Sequence, residues 1–82
     1  MEGKGHQQLD LRGVISPFVH LKVIQSLHGL HPGDTLSLVH IHPESLNDLM
    51  AILRHYPLQL GELLENDGGY TLQITKNAAE TL

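Results

Sequence analysis

The sequence predicts an α/β (α+β) two-layer sandwich of order β-α-β-α-β-β, with a four-stranded mixed sheet and two helices on one face. Three observations carry that prediction. Two stretches repeat apolar residues at helical spacing, and each opens on a proline, Pro17 or Pro43. Short apolar or alternating stretches surround them, with β-branched residues and turn signals at their ends. Asn66-Asp67-Gly68-Gly69 then separates the last two of these stretches, as a hairpin requires. A chain of 82 residues has room for one such domain and one core.

The elements follow in order. Residues 1–7 are polar and Gly-rich and are expected to form a flexible N-terminus. The domain proper is expected over 8–76, and 77–82 reads as a C-terminal tail. Gln8-Leu9-Asp10-Leu11 alternates and reads as the first strand, which Gly13 ends. Ser16 suits a helix N-cap and Pro17 the first helical position, where no hydrogen bond needs its missing N–H. That helix runs to about His28, with Phe18, Leu21, Ile24 and Leu27 as its apolar stripe, Val23 beside them, and Gly29 as its stop.

Leu30-His31-Pro32-Gly33-Asp34 is turn material, and Thr35 to Ile41 reads as the second strand. Pro43 starts the second helix, with Ser45-x-x-Asp48 in the pattern of a capping box. Leu46, Leu49, Met50 and Leu53 share one face of it, and Pro57 stops it. Leu58 to Leu64 reads as the third strand, with Gly61 marking a bulge or close approach. Tyr70, Leu72 and Ile74 alternate with polar residues in the fourth. The expected core comprises Leu21, Ile24, Leu36, Leu38, Leu46, Leu49, Leu53, Leu72 and Ile74.

Composition narrows the function. The net charge is −4 with histidines neutral, and Lys4, Arg12, Lys22, Arg54 and Lys76 are scattered. Nucleic-acid binding needs a concentrated basic patch, so it is disfavoured. No cysteine is present, which removes disulfides, thiolate nucleophiles and zinc-thiolate sites. Met1 to His6 lacks the apolar segment of a signal peptide, and no apolar run reaches the length of a membrane span. A cytoplasmic protein with no membrane association and no cofactor is therefore expected. Seven histidines make the net charge sensitive to mild acidification.

Several of these residues resemble the TusA/SirA sulfur-carrier family. Leu9-Asp10-Leu11-Arg12-Gly13 resembles its opening motif L-D-x-x-G. Leu30-x-Pro32-Gly33-Asp34-x-Leu36 resembles its L-x-P-G-x-x-L turn. Asp48 matches an acidic position in the second helix, and Gly68-x-Tyr70 with Ile74-x-Lys76 resembles the closing hairpin. The likeness spans about residues 9–76. The family opens its first helix with Cys-Pro-x-Pro, whereas this chain has Ser16-Pro17-Phe18-Val19, and it has His42 where Asp is usual.

The resemblance implies a sulfurtransferase in which a cysteine at the helix start accepts sulfur as a persulfide and passes it to a partner protein. A helix N-terminus stabilises such a thiolate through its free N–H groups and its dipole. Serine cannot form a persulfide. Two explanations stand: a natural cysteine-free relative, or a sulfur carrier whose native cysteine at position 16 was replaced. Loss of the second proline and of Asp at position 42 favours the first. Enzymatic activity is accordingly open.

The expected docking surface for a protein partner, such as a sulfur-relay component, comprises Arg12, Ser16, Pro17, Phe18, Val19 and His20. Phe18 is expected to pack in the core more than Val19. A hydrolase using Ser16 with His20 as base is a weaker reading, since no G-x-S-x-G elbow is present. His40 and His42, two apart on a strand, are a weak metal signal, and no metal ligands are assigned.

Overall fold

The computed structural model describes residues 5–77, with the side chains of Ser16 and Pro17 outside that description. Its elements are β1 (His6–Asp10), α1 (Ser16–His28), β2 (Thr35–Ile41), α2 (Pro43–Leu53), β3 (Leu58–Asn66) and β4 (Gly69–Lys76). Residues 1–4 and 78–82, which hold most of the expected loose N-terminus and tail, lie outside the described residues. β1 starts two residues before Gln8 and ends before Leu11. His6 and Gln7 join because their backbones face Thr35 and Leu36 of β2, a pairing no side-chain pattern announces.

The sheet order is β1-β2-β4-β3. β1 and β2 are parallel, and β4 runs antiparallel to both of its neighbours, β2 and β3. β2 and β3 are therefore parallel to each other with β4 inserted between them. Both crossovers, through α1 and through α2, advance across the sheet in the same direction. Right-handed connections then place both helices on one face. Consistent with this, α1, α2, β2 and β4 feed a single apolar cluster.

That cluster is built from Val19, Val23, Leu27 and Leu30 on one side and Leu36, Leu38, Ile41, Leu72 and Ile74 on the sheet, with Leu49 and Leu53 from α2. Each fully buried Val, Leu or Ile contributes about 1.5–3 kcal/mol of transfer free energy. The α1 stripe differs from expectation. Its buried face is Val19, Val23 and Leu27 at i, i+4 and i+8, whereas Phe18 and Leu21 are about half exposed at 51% and 50%. Apolar residues surround most of α1, so periodicity alone does not select a face. Ile24 and Leu46 are half-buried, while Leu36, Leu38, Leu49, Leu53, Leu72 and Ile74 are buried as expected.

Both helix starts also differ. The N-cap of α1 is Ile15, in extended backbone, and its carbonyl accepts from the Phe18 N–H at 2.9 Å. Ser16 is thus the first helical residue and not the cap. For α2 the cap is His42, while Ser45 is buried inside the helix, so the expected Ser45 capping box does not form.

The hairpin forms at the expected turn. Asp67 (φ 49°) and Gly68 (φ 78°) both occupy left-handed backbone between the paired Asn66 and Gly69, as a two-residue primed turn demands. Gly61 marks a bulge, as its position suggested: three steps on β3 from Leu60 to Leu63 oppose two on β4. A Cβ on Gly61 would meet the Gln73 carbonyl oxygen at 3.0 Å.

At the other end of the sheet, Asp34 organises the turn into β2. Its carboxylate accepts from the Gly5 amide at 2.8 Å and from the His31 amide at 3.0 Å. Those two backbone donors, His31 first, hold its carboxyl below the ordinary range, helped by the His31 side chain and opposed by burial. Two further backbone bonds form here: Gly33 N–H donates to Lys76 O, and Lys76 N–H donates to Asp34 O, each at 2.9 Å. The Pro32-Gly33-Asp34 turn is thereby fastened to the end of β4.

Candidate functional site

The C-terminal ends of β1 and β2, the β3–β4 turn and the starts of both helices meet at one end of the sheet. A cleft of about 240 Å³ opens there. The loop after β1 supplies Leu11, Arg12 and Gly13, the end of β2 supplies His40 and His42, and the hairpin supplies Asp67, Gly68 and Gly69.

Unusual backbone concentrates around this cleft. His40 (φ 60°) and Asp67 (φ 49°) are the described non-glycine residues with positive φ, and both line it. Gly13 (φ 80°) and Gly68 (φ 78°) line it as well. His40 is pushed there by a bulge, because β2 takes three steps from Leu38 to Ile41 while β4 takes two from Leu72 to Tyr70. Gly69 permits it: a Cβ at that position would stand 3.3 Å from the Ile41 carbonyl oxygen. Strained backbone of this kind persists only where its surroundings over-determine it.

The charges are partly paired. Asp10 accepts from the Arg12 amide at 2.9 Å and from its guanidinium at 3.2 Å. The Arg12 backbone bond chiefly holds the Asp10 carboxyl below its ordinary range, with burial opposing and the Arg12 and His40 charges assisting. The pair is exposed, 73% and 42% at its side chains, so it fixes the loop more than it stabilises the fold. His42 Nδ1 accepts from the Glu44 amide at 3.2 Å and so caps α2. An imidazole thus caps α2 at the position where the resembled family usually has Asp.

Of the residues expected to form a docking surface, Arg12 lines the cleft. Ser16 and Pro17 open α1 beside it in sequence. Phe18 points outward at 51% exposure and Val19 is core at 3%, the reverse of the packing expected for this pair. Val19 therefore offers no contact surface and holds the first turn down. His20 is half-buried, outside the cleft. Ile15, 63% exposed, extends the apolar surface at the start of α1 and was not among the expected residues. Asp67 was legible as part of the hairpin turn, whereas His40 and Ile15 had no local signal, since a bulge and exposure are decided by partners distant in sequence.

Among the described residues no three His, Asp or Glu side chains converge to hold a metal ion. Among them, too, no helix is long and apolar enough to cross a membrane. The arrangement presents a small cleft of mixed polar and apolar lining beside an apolar helix start, and the sequence places no thiol in either.

No curated protein matches this chain. A family model described as Sulfurtransferase TusA matches residues 7–76, covering every strand and helix from the second residue of β1 to the end of β4. With that match across nearly the whole fold, and with Ser16 at the start of α1, the chain belongs to the TusA sulfurtransferase family as a member without cysteine.

Proposed function

We propose that this protein is a non-catalytic protein-docking module of the sulfur relay, which binds a relay partner without carrying sulfur itself. Family membership ties it to sulfur-relay proteins. The observation that carries the reading is the combination at α1. The chain has no thiol to form a persulfide, yet the helix start exposes Ile15 and Phe18 next to the Arg12 loop. Exposed apolar side chains rimmed by charge suit protein contact. The docking surface would comprise Arg12, Ser16, Pro17 and Phe18, flanked by His20, with Val19 buried beneath.

The test is a titration against a cysteine desulfurase, with intact-mass measurement of the chain after incubation with cysteine. Saturable binding, weakened by Phe18→Asp, with no added 32 Da is the expected outcome. No binding at any accessible concentration overturns the docking reading.

A second reading has its own support. Residue 16 is the first residue of α1, where free amides and the helix dipole would stabilise a thiolate. Ser16 would then stand in place of a native cysteine in a working carrier. A cysteine codon at position 16 in the encoding gene selects this reading, and a serine codon removes it.

A further inference from the structure

The sheet ends on two unlike edges. β1 is five residues long, whereas β3 runs nine residues and, among the described residues, pairs on one side only, with β4. From Gly61 to Gly68 every residue is exposed. An edge of that length leaves a row of backbone N–H and C=O groups open to another chain.

The pairing register fixes where the side chains of this edge point. Leu63 lies opposite the buried Leu72 and so faces the helix layer, while Leu64 lies opposite Thr71 and faces the open side of the sheet. Leu63 is nevertheless 39% exposed and Leu64 49%, so neither face of this stretch is covered. Glu65, opposite Tyr70, shares the face of Leu63. Gly61 and Glu62 together occupy the place opposite Gln73, which puts Glu62 on the face of Leu64. Each face of the edge therefore offers one leucine and one carboxylate. No Lys or Arg occurs from Pro57 to Gly69, and the ion pairs among the described residues, Asp10 with Arg12 and Asp34 with His31, involve neither glutamate.

We propose that β3 is a strand-addition site for an extended basic segment of another protein, paired along Glu62 to Glu65 in the pattern basic–apolar–apolar–basic. An added strand presents alternate side chains to the two faces of the sheet. Its inner two residues cover Leu63 on one face and Leu64 on the other, and its outer two stand across from Glu62 and Glu65. The pattern reads the same in either strand direction.

Charge selects this occupant over the chain's own edges. Two β3 strands set side by side about Leu63-Leu64 put glutamate opposite glutamate, whether parallel or antiparallel, and like charges directly opposite destabilise a ladder. β1, His6–Asp10, carries no Lys or Arg to meet them. The glutamates thus guard the edge against a second copy and favour a basic strand at the same positions. This surface is separate from the α1 face, so the inference stands or falls independently of the docking reading.

The test uses the full chain, isotope-labelled for NMR, and three capped peptides. These are Thr-Lys-Val-Val-Lys-Thr, its rearrangement Thr-Val-Lys-Lys-Val-Thr, and the acidic Thr-Glu-Val-Val-Glu-Thr. The first should bind reversibly with a Kd below about 1 mM and weaken as salt rises. It should shift the amides of Glu62 to Asn66 and slow hydrogen exchange at those facing outward. The rearranged peptide, equal in charge but with lysines facing leucines, should bind about tenfold more weakly, and the acidic peptide should not bind. The double variant Glu62→Lys/Glu65→Lys, shown folded by circular dichroism, should prefer the acidic peptide to the first. Equal affinity for the two basic peptides would reduce the contact to unspecific charge attraction and overturn the proposal, whether or not the double variant folds. Shifts centred outside β3, no binding at about 1 mM, or a folded double variant that still prefers the first peptide would overturn it as well.

Discussion

The amide of Gly5 donates to the carboxylate of Asp34 across 2.8 Å, tying the entry to β1 to the turn before β2. The same carboxylate takes the His31 amide, and the two bonds lower its pKa from the ordinary value. A carboxyl with a lowered folded-state pKa stabilises the fold at pH above its unfolded value of about 3.9. That stability is lost as pH falls through the folded-state pKa. Thermal unfolding followed from pH 6 downward should therefore show the midpoint dropping mainly below about pH 4. Asp34→Asn should unfold at a lower temperature at pH 6 and show a shallower drop in acid. Parallel curves for the two proteins would show that Asp34 has no such role.

Phe18 and Val19 are neighbours with opposite fates, one 51% exposed and the other 3%. Val19→Ala should cost roughly 1–3 kcal/mol in urea unfolding, because it removes buried methyl groups and leaves a void. Phe18→Ala should stay within about 0.5 kcal/mol of the parent, as surface substitutions do. The opposite ranking would mean that α1 is rotated from the position described.

His42 caps α2 through Nδ1, and that role is separable from any role in the cleft. His42→Ala should lose about 1 kcal/mol, the ordinary cost of a missing cap. His42→Asp should recover the loss, since a carboxylate caps well and favours the positive end of the helix dipole. Equal stability of the Ala and Asp variants would argue that the 3.2 Å contact contributes nothing.

Ser16→Cys puts a thiol on the first residue of α1 in a chain that has no other. Its thiol pKa, read by ultraviolet absorbance, should lie below the free value of about 8.5. Incubation with a persulfide donor should add sulfur to this variant and none to the parent. Failure of the folded variant to take up sulfur would mean that the site has diverged beyond its nucleophile, which strengthens the docking reading over the carrier reading.

The order of elements, the hairpin at Asp67-Gly68, the bulge at Gly61 and the family likeness were all legible in the chain itself. Each depends on a few consecutive residues whose backbone preferences are strong: proline at a helix start, glycine where φ is positive, alternation on a half-buried strand. Which face of α1 is buried was not legible. Phe18, Val19, Leu21, Val23, Ile24 and Leu27 leave no polar side wide enough to choose, and it is packing into the core cluster with the sheet residues that buries Val19, Val23 and Leu27. Nor could the sequence assign the caps, since Ile15 and His42 take those positions through backbone geometry set by the preceding strands. The cleft is a tertiary product altogether. Arg12, His40 and Asp67 come from three separate segments, and His40 reaches its strained backbone only because β2 bulges against β4 and Gly69 leaves it room.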